Sequence, residues 1–260
     1  MERFVTDLFV ESMGRLALIA DQRCSEPWRW PGHSGWPLQV RDALYRSLEE
    51  ELAAVAAQNP PAGEAARLLA AGQRAWGELR GLLVGLPDGL LDEHPEGVET
   101  GEWTLRQVLA HVLLVERRYR EQVEYALERS DQDPVRREPQ AAVRSSEEEG
   151  GMLEWIERLA RQRDVAATLA EIRPEQLLRP AVWAGYEVDV RFRLLRFAGH
   201  LVEHTVQAER LLARRQHRIG EAHLIVRRIS AARGAHELST PAQELAALDA
   251  AHVERARSLI

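Results

Sequence analysis

Apolar residues recur at spacings of three and four along most of this chain, and no segment alternates convincingly between apolar and polar. That period belongs to helices with one buried face, not to half-buried strands. The composition agrees, being rich in Ala, Leu, Arg and Glu, which all favour helix. The pattern predicts helices over about 2–21, 38–58, 62–84, 104–129, 150–172, 186–215, 219–234 and 241–258. Pro60-Pro61 separates the second and third, and the Gly- and Pro-bearing stretch 85–102 is a loop. Residues 130–149 are almost entirely polar, with Pro134 and Pro139, and read as a long crossover. Thr240-Pro241 marks a helix start with proline at its first position. The expected fold class is therefore all-α. Four helices joined by a short loop, a long crossover and a short loop suggest a four-helix bundle. The expected organisation is a helical extension with a Trp-rich loop over 1–60, a bundle over 61–216 and a terminal helical pair over 217–260.

The helix beginning near 104 has a well-specified start. Thr104 with Gln107 three residues on forms a capping box, and Trp103 before it is placed to staple onto Val108. The simplest role for Trp103 and Thr104 is to fix where this helix begins.

Two absences narrow the chemistry. All 34 basic residues are arginine, and Cys24 is the one cysteine of 260 residues. A disulfide framework within the chain, a Cys-based zinc finger, a Gly-Lys-Ser/Thr phosphate loop and a Schiff-base lysine are all excluded. A net charge of −7 argues against a general nucleic-acid binder. No stretch reads as a membrane span or export signal, since Glu2, Asp7, Glu11 and Arg15 interrupt the N-terminal apolar residues. The expected setting is cytoplasmic, with a small-molecule partner, no nucleic acid and no membrane; a homodimer is left open.

Of the nine histidines, His200 and His204 stand four apart, on one helix face and one turn apart, where two imidazoles can share a metal ion. Val190, Leu194, Phe197, Leu201, His204, Ala208 and Leu211 step by four and three and trace a core-facing seam. His204 lies on the seam, and His200 flanks it. His111 stands three after Val108 and four before Val115, in a helix whose core face includes Leu105, Val112 and Tyr119. Three histidines can thus converge from two helices, the pattern of a catalytic metal site with an open position. The alternative is three core histidines bonded to side chains. Helix lengths pose a geometric condition: at 1.5 Å per residue the two levels differ by roughly 9 Å, so the later helix must overhang.

The stretch Trp103-Thr-Leu-Arg-Gln-Val-Leu-Ala-His111 resembles the Trp-[Ser/Thr]-x-x-[Glu/Gln]-x-Leu-x-His signature of the DinB/YfiT-like bundles. Phe197-Ala-Gly-His200-Leu-Val-Glu-His204 resembles the His-x-x-x-His of their last helix. The likeness covers about residues 62–216. It implies an up-down-down-up four-helix bundle, here with additional N- and C-terminal helices. It also implies a divalent metal, often nickel or zinc, held by His111, His200 and His204. Related members transfer or isomerise substrates with low-molecular-weight thiols such as mycothiol or bacillithiol, and some are hydrolases. A metal-dependent transferase or hydrolase is the functional expectation. The alternative is a non-catalytic ligand- or partner-binding bundle with a structural or vestigial metal. A metal with neutral imidazole ligands would ease deprotonation of a coordinating water or thiol. Any thiol must come from outside, because Cys24 precedes the bundle.

Arg193 and Arg196 lie seven and four residues before His200 and share its face, so they are expected to bind an anionic substrate. An Asp189–Arg193 pair at i, i+4 is the structural alternative. His200-x-x-Glu203-His204 also fits the inverted zinc-peptidase motif, with Glu203 as base, but no strands of the required scaffold are read here. The loop Trp28-Arg-Trp30-Pro-Gly-His33-Ser-Gly-Trp36 is either a lid or a packing loop. His94, His217, His223, His236 and His252 read as surface histidines.

Overall fold

The computed structural model describes residues 5–29, 37–59, 61–94, 102–136 and 149–260. Trp30, His33 and Trp36 of the Trp-rich loop, and most of the 130–149 crossover, lie outside the described residues. Among the described residues the helices are α1 (Val5–Ala17), α2 (Asp21–Cys24), α3 (Val40–Ala57), α4 (Glu64–Leu83), α5 (Leu105–Glu128), α6 (Met152–Ala166), α7 (Val190–Arg214), α8 (Glu221–His236) and α9 (Ala242–Leu259). No helix among these residues is long and apolar enough to cross a membrane.

Contacts between helices set their directions. Arg191 at the start of α7 pairs with Glu64 at the start of α4 at 2.5 Å, so these two run parallel. Arg163 of α6 meets Glu116 of α5 at 3.1 Å, and Arg106 reaches the Gly150 carbonyl at 2.8 Å, so α5 and α6 also run parallel. The Met152 amide donates to Asp88, just beyond α4, at 2.7 Å, while Arg163 bonds Gln73 within it at 3.1 Å, so α6 opposes α4. The bundle is therefore up-down-down-up, with the crossover linking the two parallel central helices.

The fold is all-α as expected, with two short antiparallel hairpins that the sequence reading did not include. Pro27–Trp28 pairs with Leu38–Gln39 (β1, β2), and Pro180–Trp183 pairs with Tyr186–Asp189 (β3, β4). The helix predicted from 186 consequently begins at Val190, where the Asp189 carboxylate accepts from the Phe192 amide at 2.8 Å. Ala184 and Gly185 connect β3 to β4 with φ of +49° and +87°. Left-handed backbone at both turn residues matches the twist of a two-residue hairpin, and glycine adopts it without a Cβ clash.

The core has two apolar clusters. One spans the terminal helices and one half of the bundle, including Phe9, Met13, Trp76, Leu109, Trp155, Leu201, Ile229 and Leu259. The other fills the remaining half, with Leu69, Tyr119, Val123, Leu194 and Phe197, and reaches the β3–β4 hairpin. Between them lies a buried polar level: Gln73 on α4, Glu116 on α5, Arg163 on α6 and His200 on α7. The terminal helices pack onto α4 through α8. Gly77 is obligatory there, because a Cβ would stand 2.2 Å from the Ser230 carbonyl oxygen.

Three histidines read as surface residues are in fact buried. His223, His236 and His252 are 5%, 1% and 0% exposed. His236 and His252 each place Nε2 2.6 Å from the Glu51 carboxylate, which also accepts from Arg233 at 3.0 Å. Arg233 reaches Asp249 at 2.6 Å. His223 lies on the C-terminal carbonyls of α4, 3.1 Å from Gly81 O. These partners sit on helices distant in sequence, so no local pattern marks them.

Candidate metal centre

The start of α5 is built as its sequence predicts. Thr104 Oγ1 accepts from the Gln107 amide at 3.2 Å, and Gln107 Oε1 accepts from the Thr104 amide at 2.9 Å. This places His111 nearly two turns inside α5, facing α7. The expected seam of α7 is buried throughout, with Val190, Leu194, Phe197 and Leu201 at 0% exposure. The level difference is absorbed by antiparallel register. Tyr119 packs on Phe197 (ring centres 5.6 Å), His111 on His204 (4.8 Å), and Glu102 pairs with Arg214. Residues 102–104, ahead of α5, run beside the last turns of α7, so the overhanging end is covered.

The three predicted histidines come together. Their ligand nitrogens all lie within 4.8 Å of one another. Ring centres are 5.3 Å apart for His111–His200 and 4.3 Å for His200–His204. His200 and His204 are buried, and His111 is half-buried. His204 Nδ1 lies 2.8 Å from Gln207 Oε1. An amide oxygen only accepts, so Nδ1 carries the hydrogen and Nε2 is left with its lone pair. Both ring nitrogens of His200 are buried without a hydrogen-bond partner. Leaving buried polar atoms unpaired costs about 1–3 kcal/mol each, so the triad fits a cation better than an empty core. Burial, then His204, His111 and Arg196, push His200 down to about 3. Burial and His204 also lower His111, with Glu203 opposing. Neutral imidazole is the ligating form, and three nitrogen donors suit a divalent transition metal.

The triad lines a cavity of about 760 Å³. Trp103 lies against His111, with ring centres 4.9 Å apart, so it does more than begin the helix. Tyr119 sets its ring 5.7 Å from His200. Trp183 of β3 closes another side, its indole N–H 3.4 Å from the Tyr119 hydroxyl. Both arginines expected near His200 line the cavity, in different states. Arg196 pairs with Glu203 at 3.4 Å and lies 5.0 Å over Trp183. Burial lowers its pKa, but Tyr119 and Glu203 outweigh this and raise it. Arg193 is 7% exposed and makes no ion pair with Asp189, which caps α7 instead and approaches Arg191 at 3.9 Å. Glu203 is exposed and lies on the cavity wall.

Sequence reading missed several wall residues. Trp183 sits on an unrecognised hairpin. Gln207, three after His204, and Arg118, seven after His111, carried a spacing signal. Arg136 lies in the crossover and had none.

The family model of the DinB superfamily matches residues 71–208, which include all three histidines and the cavity's helical walls. No curated protein matches the chain.

Proposed function

The chain belongs to the DinB superfamily, and from that premise we propose that it is a metal-dependent transferase or hydrolase of a small molecule. His111, His200 and His204 would hold a divalent cation, zinc or nickel. A low-molecular-weight thiol is the proposed cosubstrate if the reaction is a transfer. The observation that carries this reading is the buried His200 ring, bonded at neither nitrogen, within a triad that opens on a cavity.

A divalent ion there would supply a Lewis acid that lowers the pKa of a coordinating water or thiol toward neutral. The protein's own groups do the rest. Gln207 fixes the tautomer of His204. Trp103 and Trp183 provide apolar walls that restrict water, and Arg193 and Arg196 would orient an anionic substrate. Cys24 is fully buried on α2 and away from the cavity, which supports an external nucleophile. The net charge of −7 supports a small-molecule partner over nucleic acid, and the proposed location is cytoplasmic.

Metal analysis of protein purified without a histidine tag tests the centre. We expect one equivalent in the natural chain and none in a His200→Ala, His204→Ala double variant; undiminished metal in that variant overturns the reading. In the cobalt form, a visible-spectrum change on adding thiol is expected. An unchanged spectrum assigns a closed, structural site.

A further inference from the structure

Resting on the reading above, we infer that the substrate is a small acid whose oxyanion sits on Arg193, flanked by Arg118 and Arg136, while its apolar body lies between Trp103 and Trp183. The chain's other buried arginines provide the comparison. Arg80 reaches Glu237 at 3.0 Å, Arg163 reaches Glu116 at 3.1 Å, and Arg233 reaches both Glu51 and Asp249. Arg129 bonds the Ser130 carbonyl at 3.1 Å. Arg193 alone in this group has neither a carboxylate nor a carbonyl among the described residues, and its Nε is buried without a partner. A guanidinium stays charged, and an unpaired buried charge is strongly unfavourable. Stacking 5.3 Å over Tyr119 attracts the charge but accepts no hydrogen bond.

The surroundings deepen the imbalance. Burial lowers the Arg193 pKa, Tyr119 partly opposes this, and the like charges of Arg136 and Arg196 add to the lowering. Cavity-lining acids leave Arg193 unneutralised: Glu203 is on Arg196, Glu102 is on Arg214, and Glu121 is exposed. Arg118 lines the same cavity and has no ion-pair partner among the described residues. One aromatic ring, Tyr119, separates Arg193 from His200, so a short acid can reach both the arginines and the histidines. The planar fork of Arg193 suits a carboxylate or a phosphate equally.

Calorimetric titration of the full chain, as isolated and after metal removal with EDTA, tests this. The probes are 3-phenylpropionate, phenyl phosphate and the neutral 3-phenylpropanol. We expect at least one acid to bind at least tenfold more tightly than the alcohol in both forms; the tighter acid assigns carboxylate or phosphate. Arg193→Met should weaken that acid tenfold or more, and Arg118→Gln or Arg196→Met severalfold. Equal affinity for acids and alcohol, or unchanged acid binding in Arg193→Met, overturns the inference. If circular dichroism shows Arg193→Met misfolded, unchanged acid binding in Arg118→Gln overturns it. Acid binding should persist in metal-free His111→Ala protein. Retention of metal by the double histidine variant would remove the metal reading and leave the arginine result standing.

Discussion

Gln207 orients the His204 ring within the candidate centre. By accepting from Nδ1 at 2.8 Å it leaves Nε2 for a cation. Gln207→Ala should therefore weaken metal affinity about 10- to 100-fold, as read by competition with a chromophoric chelator, without abolishing it. Conformation matters equally at single residues. Ala184 adopts φ +49° in the β3–β4 turn, where an L residue with a Cβ is strained. Ala184→Asn should raise stability by about 1 kcal/mol in urea unfolding. His111, His200 and His204 were legible because spacing along a helix dictates which side chains share a face. The difference between Arg193 and Arg196 was not legible. It depends on Glu203 pairing with one, while among the described residues no acid pairs with the other.

Helices were legible wherever a local signal existed: the Thr104–Gln107 box, Pro60-Pro61 and Thr240-Pro241 each lie next to an observed helix. The hairpins were not. Strands of two or four residues place at most two side chains on each face, too few for an alternation to stand out against neighbouring helical periods. Packing of α4 on α8 depends on absent side chains. Gly77→Ala would drive a Cβ to 2.2 Å from Ser230 O, and main-chain atoms cannot rotate aside. We expect a loss of about 1–3 kcal/mol in denaturant unfolding, with retained helicity by circular dichroism.

Across the whole molecule, a buried ionic cluster ties the N-terminal extension to the two C-terminal helices. Glu51 of α3 bonds His236 and Arg233 of α8 and His252 of α9, and Arg233 continues to Asp249. Removing one partner leaves the other charges uncompensated, so Glu51→Ala should cost about 3–5 kcal/mol of unfolding free energy. Acid sensitivity follows from the same cluster. Burial raises the Glu51 pKa, but hydrogen bonds from His236, His252 and Arg233 outweigh it and hold the carboxyl well below its ordinary 4.5. A depressed carboxyl stabilises the fold above 4.5, and that stabilisation is lost as pH falls below it. His223 is lowered by burial, against the opposing Gly81 and Leu82 carbonyls. The unfolded chain takes up its proton first, so stability also declines as pH drops below about 6.5. Unfolding free energy measured against pH should show both declines, and Glu51→Gln should lose the lower one.

By itself the sequence determined the helical class, most helix limits, the bundle connection and the helix faces that carry His111, His200 and His204. Each rests on backbone period, capping or side-chain spacing, which act over a few residues. Only the tertiary structure decided the antiparallel register of α5 on α7, the hairpin wall of the cavity, the burial of His223, His236 and His252, and the unpaired state of Arg193. Each depends on which groups from distant segments meet where water is excluded, and there a charge or ring nitrogen must find a partner or remain without one.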